Sequence, residues 1–420
     1  MSLIVQKYGG TSVADLAHIR NVAKRVIGYK KRGHDVVVVV SAMAGETDRL
    51  IGLADEISPA HDEREHDALV STGEQVSSAL LAMTIIEMGT KTRSLQGHQV
   101  SIGTDNGYMR ARITDVDVKK IGKLLKSGHV VVVAGFQGID PEGNITTLGR
   151  GGSDTTAVAL AAKLKADECE IFTDVDGVYT ADPRLCSDAK KIHNISYEEM
   201  IELASMGSKI LHIRAVEFAM KYDVTLHVRS SLSDKEGTIV TSEDIEMEKM
   251  VVTAVAHDSN QAKITLVGVP DRPGVAYRIF EPVSAVGISV DMIIQNVSQE
   301  GFTDLTFTVR KTDYRKTLEL VKPVCDGLGA EDVLGDPDIA KVSVVGVGMR
   351  SHAGAATTMF EALSKAGINI NMISTSEIKI SCIINERYTE LAVRVLHDAF
   401  KLKKKRAKAV KKPVRKRKKN

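Results

Sequence analysis

Short apolar runs that alternate with helical patterns constrain the fold of this chain more than any other feature. Val36–Val40 and Val130–Ala134 contain no polar position, which is typical of strands buried on both faces of a parallel sheet. Residues 15–31 lie between the strand-like residues 3–7 and the run Val36–Val40. Their apolar residues recur every three to four positions, as in an amphipathic helix. The alternation predicts an α/β fold, with a three-layer α/β/α domain over residues 1–245.

Other segments of this half follow the same alternation. We expect further strands at 3–7 and 170–173, and helical segments at 65–88, with a break at Thr72–Gly73, and 198–222, with an interruption at 206–208. The acidic residues 243–248 are interpreted as a linker.

The second half contains an internal repeat. K-I-T-L-V-G-V at 263–269 returns as K-V-S-V-V-G-V at 341–347, and V-G-I-S-V-D-M-I at 286–293 returns as A-G-I-N-I-N-M-I at 366–373, with offsets of 78 and 80 residues. Each copy has the pattern strand, helix, strand, strand, helix. This order is most of a ferredoxin-like βαββαβ unit.

The two copies are predicted to be interlocked. The first copy (258–335) finishes with an expected fourth strand at 330–334, whereas only a basic tail follows the last helix of the second copy. The strand-like segment 250–257 has no place in the first copy. We therefore expect it to pair with the second copy, which then comprises 250–257 plus 336–400.

Composition places the chain among soluble globular proteins, with 43% hydrophobic and 26% charged residues in 420. The apolar runs are too short to span a bilayer, and the N-terminus has no signal-peptide pattern. The four cysteines lack metal-ligand spacing, which favours a reducing cytoplasm. They are Cys169, Cys186, Cys325 and Cys382.

The basic character of the chain lies in its tail. Residues 401–420 contain 13 Lys and Arg and no acid, so the remainder carries a net charge of −11 against +2 for the whole chain. Such a segment does not fold alone, and we interpret it as a solvated, disordered tail. Nonspecific contact with nucleic acid or anionic surfaces is the alternative, but no aromatic residue is interleaved to stack on bases.

A glycine-rich loop feeds a predicted helix at T-L-G-R-G-G-S-D, residues 147–154. Gly149, Gly151 and Gly152 allow the backbone to approach a ligand closely, and Ser153 is a candidate N-cap. A helix N-terminus after such a loop suits an anion. On these residues alone, an ordinary capped helix is an equally good interpretation.

A second glycine turn occurs at K-Y-G-G-T-S, residues 7–12. Lys7 ends a predicted strand, and ligands of open α/β sheets bind beyond the carboxyl ends of the strands. A phosphate site is one interpretation and a solvated lysine is the other. No Walker A motif occurs; the D-V-D-G at 174–177 lacks the other EF-hand ligands, and Gly346 and Gly348 lack the rest of a dinucleotide fingerprint.

Four motifs together resemble the amino-acid kinase superfamily and, within it, the aspartate kinases. They are K-Y-G-G-T-S, T-L-G-R-G-G-S-D, F-T-D-V-D-G-V-Y-T-A-D-P-R at 172–184, and G-S-K-I-L-H-I-R at 207–214. The repeat resembles the tandem ACT domains of the same family. The resemblance covers residues 1 to about 400.

The resemblance implies an enzyme that moves the γ-phosphate of ATP to the side-chain carboxylate of L-aspartate, giving 4-phospho-L-aspartate. It implies ATP and Mg²⁺ as cofactors, the metal being held through the nucleotide and not by protein ligands. It also implies feedback control by lysine, threonine or both, and a cytoplasmic homo-oligomer without membrane or nucleic-acid partners. Whether an internal start near Met247 or Met250 gives a separate regulatory chain is a question that the sequence leaves open.

Residue roles carried over by the resemblance fall into three sets. Lys7, Asp154 and Lys209 are the expected catalytic residues, with Lys7 on the transferring phosphoryl group and Asp154 orienting Lys7 or, through water, Mg²⁺. The expected substrate residues are Thr47, Glu74 (for the ammonium group), Arg150, Gly151, Gly152 and Ser153. The expected ATP residues are Lys7, Tyr8, Gly9, Gly10, Ser41, Thr173, Asp174, Tyr179, Arg184, Lys209 and Ile210.

Effector residues are expected in both ACT copies. Those of the first copy are Asp271, Arg272, Pro273, Gly274, Val275, Ala276, Ser289, Val290, Asp291 and Gln295, and those of the second are Asn369, Ile370, Ser376 and Glu377. Lysine is expected at the first site. Because Asn371 replaces Asp291, the second copy holds either a threonine site or merely a structural turn.

Two other functional classes remain open at this point. One is a catalytically inactive amino-acid sensor that uses only its repeat, against which the intact charged set of the first half argues. The other is a nucleic-acid-associated regulator that uses the basic tail.

Overall fold

A computed structural model describes residues 2–206, 210–242, 251–296 and 301–403. The expected catalytic residue Lys209, the expected linker 243–248 and most of the basic tail lie outside these ranges.

The strands of the first half are β1 (Leu3–Tyr8), β2 (Asp35–Val40), β3 (Thr92–Leu95), β4 (Ile102–Thr104), β5 (Ile113–Val116), β6 (Val130–Ala134), β7 (Gln137–Ile139), β8 (Ile145–Thr147), β9 (Glu168–Thr173), β10 (Asn194–Ser196), β11 (Leu226–Ser230) and β12 (Thr238–Thr241).

Eight α-helices accompany these strands in the described part of the first half. They are α1 (Leu16–Lys31), α2 (Glu46–Ile57), α3 (Glu63–Val70), α4 (Thr72–Glu87), α5 (Lys119–Lys126), α6 (Gly152–Leu164), α7 (Tyr197–Ser205) and α8 (Ile213–Tyr222). A helix break is present close to the expected one, but it falls at Ser71, and Thr72 and Gly73 already belong to α4. The helix α7 ends at Ser205, where an interruption was expected, whereas residues 207–208 lie outside the described ranges.

An eight-stranded sheet forms the centre of this half, in the order β10-β12-β11-β9-β1-β2-β6-β3. Its central pairs, from β11 through β9, β1, β2 and β6 to β3, are parallel, whereas β11 and β12 are antiparallel. A small sheet, β5-β4-β7-β8, carries the chain towards the glycine loop. The carboxyl ends of β1 and β9 are neighbours, because Tyr8 is paired with Phe172.

The valines of β2 pack against helices on both faces of the central sheet, which gives the domain its three layers. Val37 and Val39 belong to the core that includes α6 residues such as Leu160, whereas Val36, Val38 and Val40 belong to the core on the α1 and α4 side. All five valines are fully buried. Each contributes about 1.5–3 kcal/mol by burial, so a strand without polar positions is stable only between two helical layers.

The described residues of the second half form six strands and four α-helices. They are β13 (Ala254–Pro270), α9 (Val275–Ala285), β14 (Ile293–Gln295), β15 (Phe302–Arg310), α10 (Tyr314–Leu328), β16 (Asp332–Val345), α11 (Ala355–Lys365), β17 (Met372–Thr375), β18 (Lys379–Asn385) and α12 (Thr389–Ala399). One sheet joins all six strands, in the order β14-β15-β13-β16-β18-β17.

The two repeat units are interlocked through the long strands β13 and β16. Ala254–Asp258 pair with Lys341–Val345, while Lys263–Val267 pair with Asp332–Asp336. The pairing expected for the segment before residue 258 is therefore present. The expectation of separate strands at 250–257 and 263–269 was wrong: one strand begins at Ala254 and serves both units, because register shifts between Asp258 and Lys263 let it continue.

The same holds for β16. Residues 330–334 were expected to close the first unit as a separate strand, but β16 continues from Asp332 to Val345 and also begins the second unit. At the junction, Met292 and its repeat equivalent Met372 pack with Ile339 and Ile383 in one small core. The units thus share both hydrogen bonds and apolar packing.

One stretch of the described residues, Glu63–Glu87, is long and apolar enough to cross a membrane by length and composition alone. Half of its most apolar window is buried inside the protein, and core helices of water-soluble proteins pass the same test. All four cysteines are buried and free.

Candidate active site

The carboxyl end of β1 meets the start of α6 at an ion pair. Nζ of Lys7 lies 2.6 Å from Oδ1 of Asp154, and the side chains are only 13% and 10% exposed. Of the two roles expected for Asp154, this contact supports the orientation of Lys7. The pair lies beside the glycine turn, since a Cβ on Gly9 would be 3.4 Å from the Lys7 ammonium.

The glycine turn is closely packed against the end of β2. A Cβ on Gly10 would lie 3.0 Å from the carbonyl oxygen of Ala42, and the N–H of Ser41 donates to the carbonyl of Tyr8. The ring of Tyr8 is fully buried and stacks on Phe172 at 4.7 Å. Any contact of Tyr8 with a nucleotide is therefore restricted to its backbone.

The glycine loop before α6 adopts conformations that favour glycine. Gly149 and Gly151 have φ of +73° and +70°, and a Cβ on Gly151 would collide with His212 at 2.2 Å. The expectation that Ser153 is the N-cap was wrong: Gly151 is the N-cap and α6 begins at Gly152. The left-handed Gly151 turns the chain two residues earlier, and its carbonyl accepts from the N–H groups of Asp154 and Thr155.

Two charged residues hold this loop. The buried carboxylate of Asp67 accepts from the backbone and the hydroxyl of Thr147, and the guanidinium of Arg214 donates to the carbonyls of Leu148 and Ala111. Asp67 and His212 were missed by sequence reasoning, and Arg214 was noted only as part of a motif. The sequence G-S-K-I-L-H-I-R was the available signal for His212 and Arg214, whereas Asp67 had none.

Glu74 is buried with one oxygen unsatisfied. The N–H of Ala42 donates to Oε1 at 2.9 Å, while Oε2 has no hydrogen-bond partner among the described residues. Burial raises the pKa of this carboxyl to about 7, and Lys7 is close enough to oppose the shift. A buried, half-satisfied carboxylate near Lys7 suits a cationic ligand.

The remaining expected substrate residues are more open to solvent. Arg150 is exposed, and within the described ranges no ion-pair partner is seen for it. Thr47 is half-buried in the first turn of α2. Gly152 and Ser153 are buried at the start of α6.

A cleft of about 860 Å³ gathers four of the expected ATP residues: Asp174, Tyr179, Arg184 and Ile210. The Tyr179 hydroxyl donates to Asp176, and Arg184 pairs with Asp182 at 2.7 Å. Thr173 ends β9 next to this cleft and donates to Asp174. Ser230, Ser233 and Lys235 also line the cleft and were not identified from the sequence.

One group of metal-ligand type was found within the described ranges. The ligand atoms of Glu168, Glu170 and His227 lie within 4.8 Å of one another. However, Glu170 already accepts hydrogen bonds from Tyr29 and from the guanidinium of Arg229. The positive charge of this half-buried guanidinium opposes a metal ion at the same place.

The expected effector residues of the first copy lie at two neighbouring parts of the unit. Asp271–Gly274 form an exposed turn before α9, whose N-cap Gly274 has a φ of +89°. Ser289, Val290 and Asp291 precede β14, and Asp291 contacts the buried ammonium of Lys341 on β16. Gln295 ends β14 and is exposed.

The second copy presents a comparable surface. Asn369 and Ser376 are exposed and Ile370 is half-buried. Glu377 lies 3.3 Å from the guanidinium of Arg350.

Comparison with known proteins agrees with this architecture. Residues 2–230 match the model of the amino acid kinase family, and residues 263–326 and 342–400 each match an ACT domain. The aspartokinase of Pseudomonas aeruginosa is 57% identical over 404 residues, which are 96% of this chain and 98% of that protein.

Solved structures give the same result. E. coli aspartokinase III in complex with aspartate and ADP (R-state) superposes with a TM-score of 0.78 at 26% identity, over 94% of this chain and 99% of that one. The same enzyme in complex with lysine and aspartate (T-state) gives a TM-score of 0.76 at 27% identity, over 95% and 99%. The chain therefore belongs to the amino acid kinase family and, within it, to the aspartate kinases with tandem ACT domains.

Proposed function

We propose that Lys7, Asp154, Glu74 and the glycine loop at 149–153 form the catalytic centre of this aspartate kinase. The observation that carries the proposal is the ion pair of Lys7 and Asp154 between two glycine turns. Lys7 would neutralise charge on the phosphoryl group during its transfer, and Gly9 and Gly10 would approach the phosphates closely with their backbone. Asp154 would hold the ammonium of Lys7 in place.

The reaction needs little covalent assistance from the protein. The side-chain carboxylate of L-aspartate attacks the γ-phosphorus, a new P–O bond forms, and the bond to the leaving ADP oxygen breaks. Since the nucleophile is already an anion, no proton has to be removed, and positioning and charge neutralisation account for the catalysis. Two anions approach each other, which explains why cations and N–H groups surround the site.

Glu74 would bind the ammonium group of aspartate. Its unpaired Oε2 is buried, and a bound ammonium group would satisfy it. Arg150 and the N–H groups of Gly151, Gly152 and Ser153 would bind the α-carboxylate, and Thr47 would line the same pocket. The E. coli enzyme solved with aspartate supports a substrate of this kind.

The nucleotide would occupy the cleft that contains Asp174, Tyr179 and Arg184. ADP in the structure of the E. coli enzyme supports a nucleotide ligand. Asp174 presents an exposed carboxylate on the cleft wall, and hard oxygen ligands of this kind fit a hydrated Mg²⁺. Bound with the nucleotide, Mg²⁺ would neutralise part of the phosphate charge. Lys209 is still predicted to stabilise the leaving group, ADP.

Regulation would use the ACT units, with lysine bound at the first unit. The complex of the E. coli enzyme with lysine and aspartate supports this ligand. Threonine at the second unit is a further expectation. The strands β14 and β17 are the outer edges of the six-stranded sheet, and the equivalent residues Ile293 and Ile373 are exposed on them. Exposed apolar edges of this kind support association between copies of the chain.

The buried free cysteines agree with a reducing, cytoplasmic environment. The basic tail is proposed to have no role in turnover, so deletion of residues 401–420 should leave activity and inhibition unchanged. A loss of either would favour the alternative of a binding tail.

The direct test is ADP release with aspartate, compared with glutamate, N-acetylglutamate and UMP as acceptors. Aspartate should be preferred, and preference for another acceptor would contradict the proposal. Lys7→Ala should abolish most turnover while lysine binding persists, which separates an enzyme from an inactive sensor. Inhibition by lysine and threonine, singly and together, with the oligomeric state followed in parallel, tests the regulatory part.

A further inference from the structure

The regulatory sheet forms one wall of the cleft that contains Asp174 and Tyr179. Val255, Ala256 and His257, near the start of β13, line the cleft. The N–H of Val255 donates to the carbonyl of Thr180 at 2.8 Å, so the strand is attached to the segment that carries Tyr179. A segment that belongs to the ACT unit by topology therefore faces the same space as residues of the kinase domain.

His257 is the one polar side chain among these three wall residues. Its ring is half-buried, and within the described ranges no protein group forms a hydrogen bond to it. Burial lowers the pKa of its imidazole, with Asp182 and Asp258 opposing and Arg184 reinforcing the shift. A neutral imidazole presents one donor and one acceptor, and no described residue uses either of them.

The cleft also has the chemistry of an adenosine site. Val178, Ile210, Leu232 and Val255 give it apolar walls, which suit a flat base. Lys7, Gly9 and Gly10, expected at the phosphates, do not line this cleft. The phosphates and the adenosine would thus lie in adjoining spaces, with His257 on the adenosine side.

We propose that His257 binds the adenosine part of ATP, so that the nucleotide site is built jointly by the kinase domain and the regulatory sheet. The proposal rests on the assignment of this cleft to ATP. The imidazole would donate to or accept from the ribose hydroxyls or the base edge.

The position of His257 on β13 gives this contact a consequence for control. The strand continues to Pro270, directly before the turn Asp271–Gly274. At about 3.3 Å per residue, the extended segment from His257 to Pro270 spans roughly 40 Å. A shift of the regulatory sheet on effector binding would move a wall of the nucleotide site without an intermediate element.

The test compares His257→Ala and His257→Gln with the parent enzyme in full-length form. ADP affinity is measured by calorimetry in the presence of MgCl₂, and kcat and both KM values by ADP release. His257→Ala should raise the ADP Kd and the KM for ATP about three- to tenfold, the loss of one hydrogen bond. The kcat and the KM for aspartate should stay within twofold, and His257→Gln should recover part of the affinity.

Asn260→Ala is the matched control, because Asn260 is exposed on the same strand and does not line the cleft; its ADP affinity should equal that of the parent. Asp174→Asn tests the cleft itself and should weaken ADP binding.

If Asp174→Asn weakens binding and both His257 variants bind ADP normally, the inference is overturned while the nucleotide assignment stands. If all three bind normally, the assignment of the cleft is also wrong. A fall in kcat with unchanged ADP affinity would show a merely structural role for His257.

Discussion

Oδ1 of Asp154 lies 2.6 Å from Nζ of Lys7, and this contact joins the first turn of α6 to the end of β1. Both side chains are nearly buried, where an isolated ammonium group would be costly to desolvate. The carboxylate offsets that cost and fixes the direction in which the ammonium points. The pair is therefore expected to determine the position of the charge that meets the phosphoryl group.

Asp154→Asn should lower kcat about 100-fold, because a displaced Lys7 no longer matches the transferring group. The KM for aspartate should change by less than threefold, since the substrate contacts are made by other residues. Steady-state ADP release at saturating aspartate and ATP measures the effect.

Asp115→Asn is the control for the loss of an ion pair as such. Asp115 pairs with Lys163 at the same 2.6 Å, but these side chains are 70% and 48% exposed. Exposed pairs contribute about 0–1 kcal/mol, so kcat should stay within twofold. Comparable losses in the two variants would contradict the role assigned to Asp154.

The raised pKa of Glu74 predicts a pH dependence of substrate binding. Burial raises the pKa of this carboxyl to about 7, and only the ionised form attracts an ammonium group. Below pH 7 the protonated fraction grows, so kcat/KM for aspartate should fall about tenfold per pH unit and level off above pH 7. Rates between pH 5.5 and 8.5 at low aspartate measure this profile.

Glu74→Gln separates this group from others that titrate nearby. The burial of His212 lowers the pKa of its imidazole, so this group titrates at a lower pH than Glu74. The variant should have a higher KM for aspartate and no break near pH 7. A break near pH 7 that persists in Glu74→Gln would show that another group is responsible.

Local sequence signals were sufficient for the elements but not for their assembly. The valine runs, the helix break near Thr72 and the internal repeat depend on neighbouring residues. The runs and the repeat are found where they were expected, and the break falls one residue earlier, at Ser71. The contact of Lys7 with Asp154 depends on the sheet placing β1 beside β9, and it was expected only through the family resemblance. Spacing alone left the glycine loop equally compatible with an ordinary capped helix.

The expectations that were wrong concern features that depend on contacts with residues far along the chain. Ser153 has the chemistry of an N-cap, but the packing of Gly151 against His212 starts the helix earlier. The strands β13 and β16 are continuous because each pairs with both repeat units, which no local pattern encodes. The buried Asp67 is invisible in the sequence because its partner Thr147 lies far along the chain.

Glu199 on α7 connects the kinase domain to the regulatory sheet. Its Oε1 accepts from the Thr253 hydroxyl at 2.6 Å and from the Val347 N–H at 3.1 Å, and the residue is buried. Glu199→Ala leaves those donors unsatisfied, so the free energy of unfolding should fall by about 3 kcal/mol. Inhibition by lysine should also weaken, with basal kcat retained. Denaturant unfolding and lysine titrations measure the two effects.

Glu361→Ala is the matched control for Glu199. Glu361 forms an exposed i,i+4 pair with Lys365 on α11, and such pairs contribute about 0.3–0.5 kcal/mol. Unfolding and inhibition should both resemble the parent. Equal inhibition by lysine in Glu199→Ala and the parent would contradict the coupling role.

Gly151 packs closely against the side chain of His212. Gly151 has a φ of +70°, and a Cβ there would lie 2.2 Å from the imidazole, so Gly151→Ala should displace the loop and raise the KM for aspartate at least tenfold. Gly143→Ala is the control, because Gly143 has a φ of +89° with nothing within 4 Å of the added Cβ. It should cost about 1–2 kcal/mol of stability and leave the KM unchanged. Adding His212→Gly to Gly151→Ala removes both the imidazole and the Cβ of residue 212, which would lie 2.2 and 2.3 Å from the added Cβ, and should recover part of the KM; no recovery would mean that the backbone conformation, and not the collision, maintains the loop.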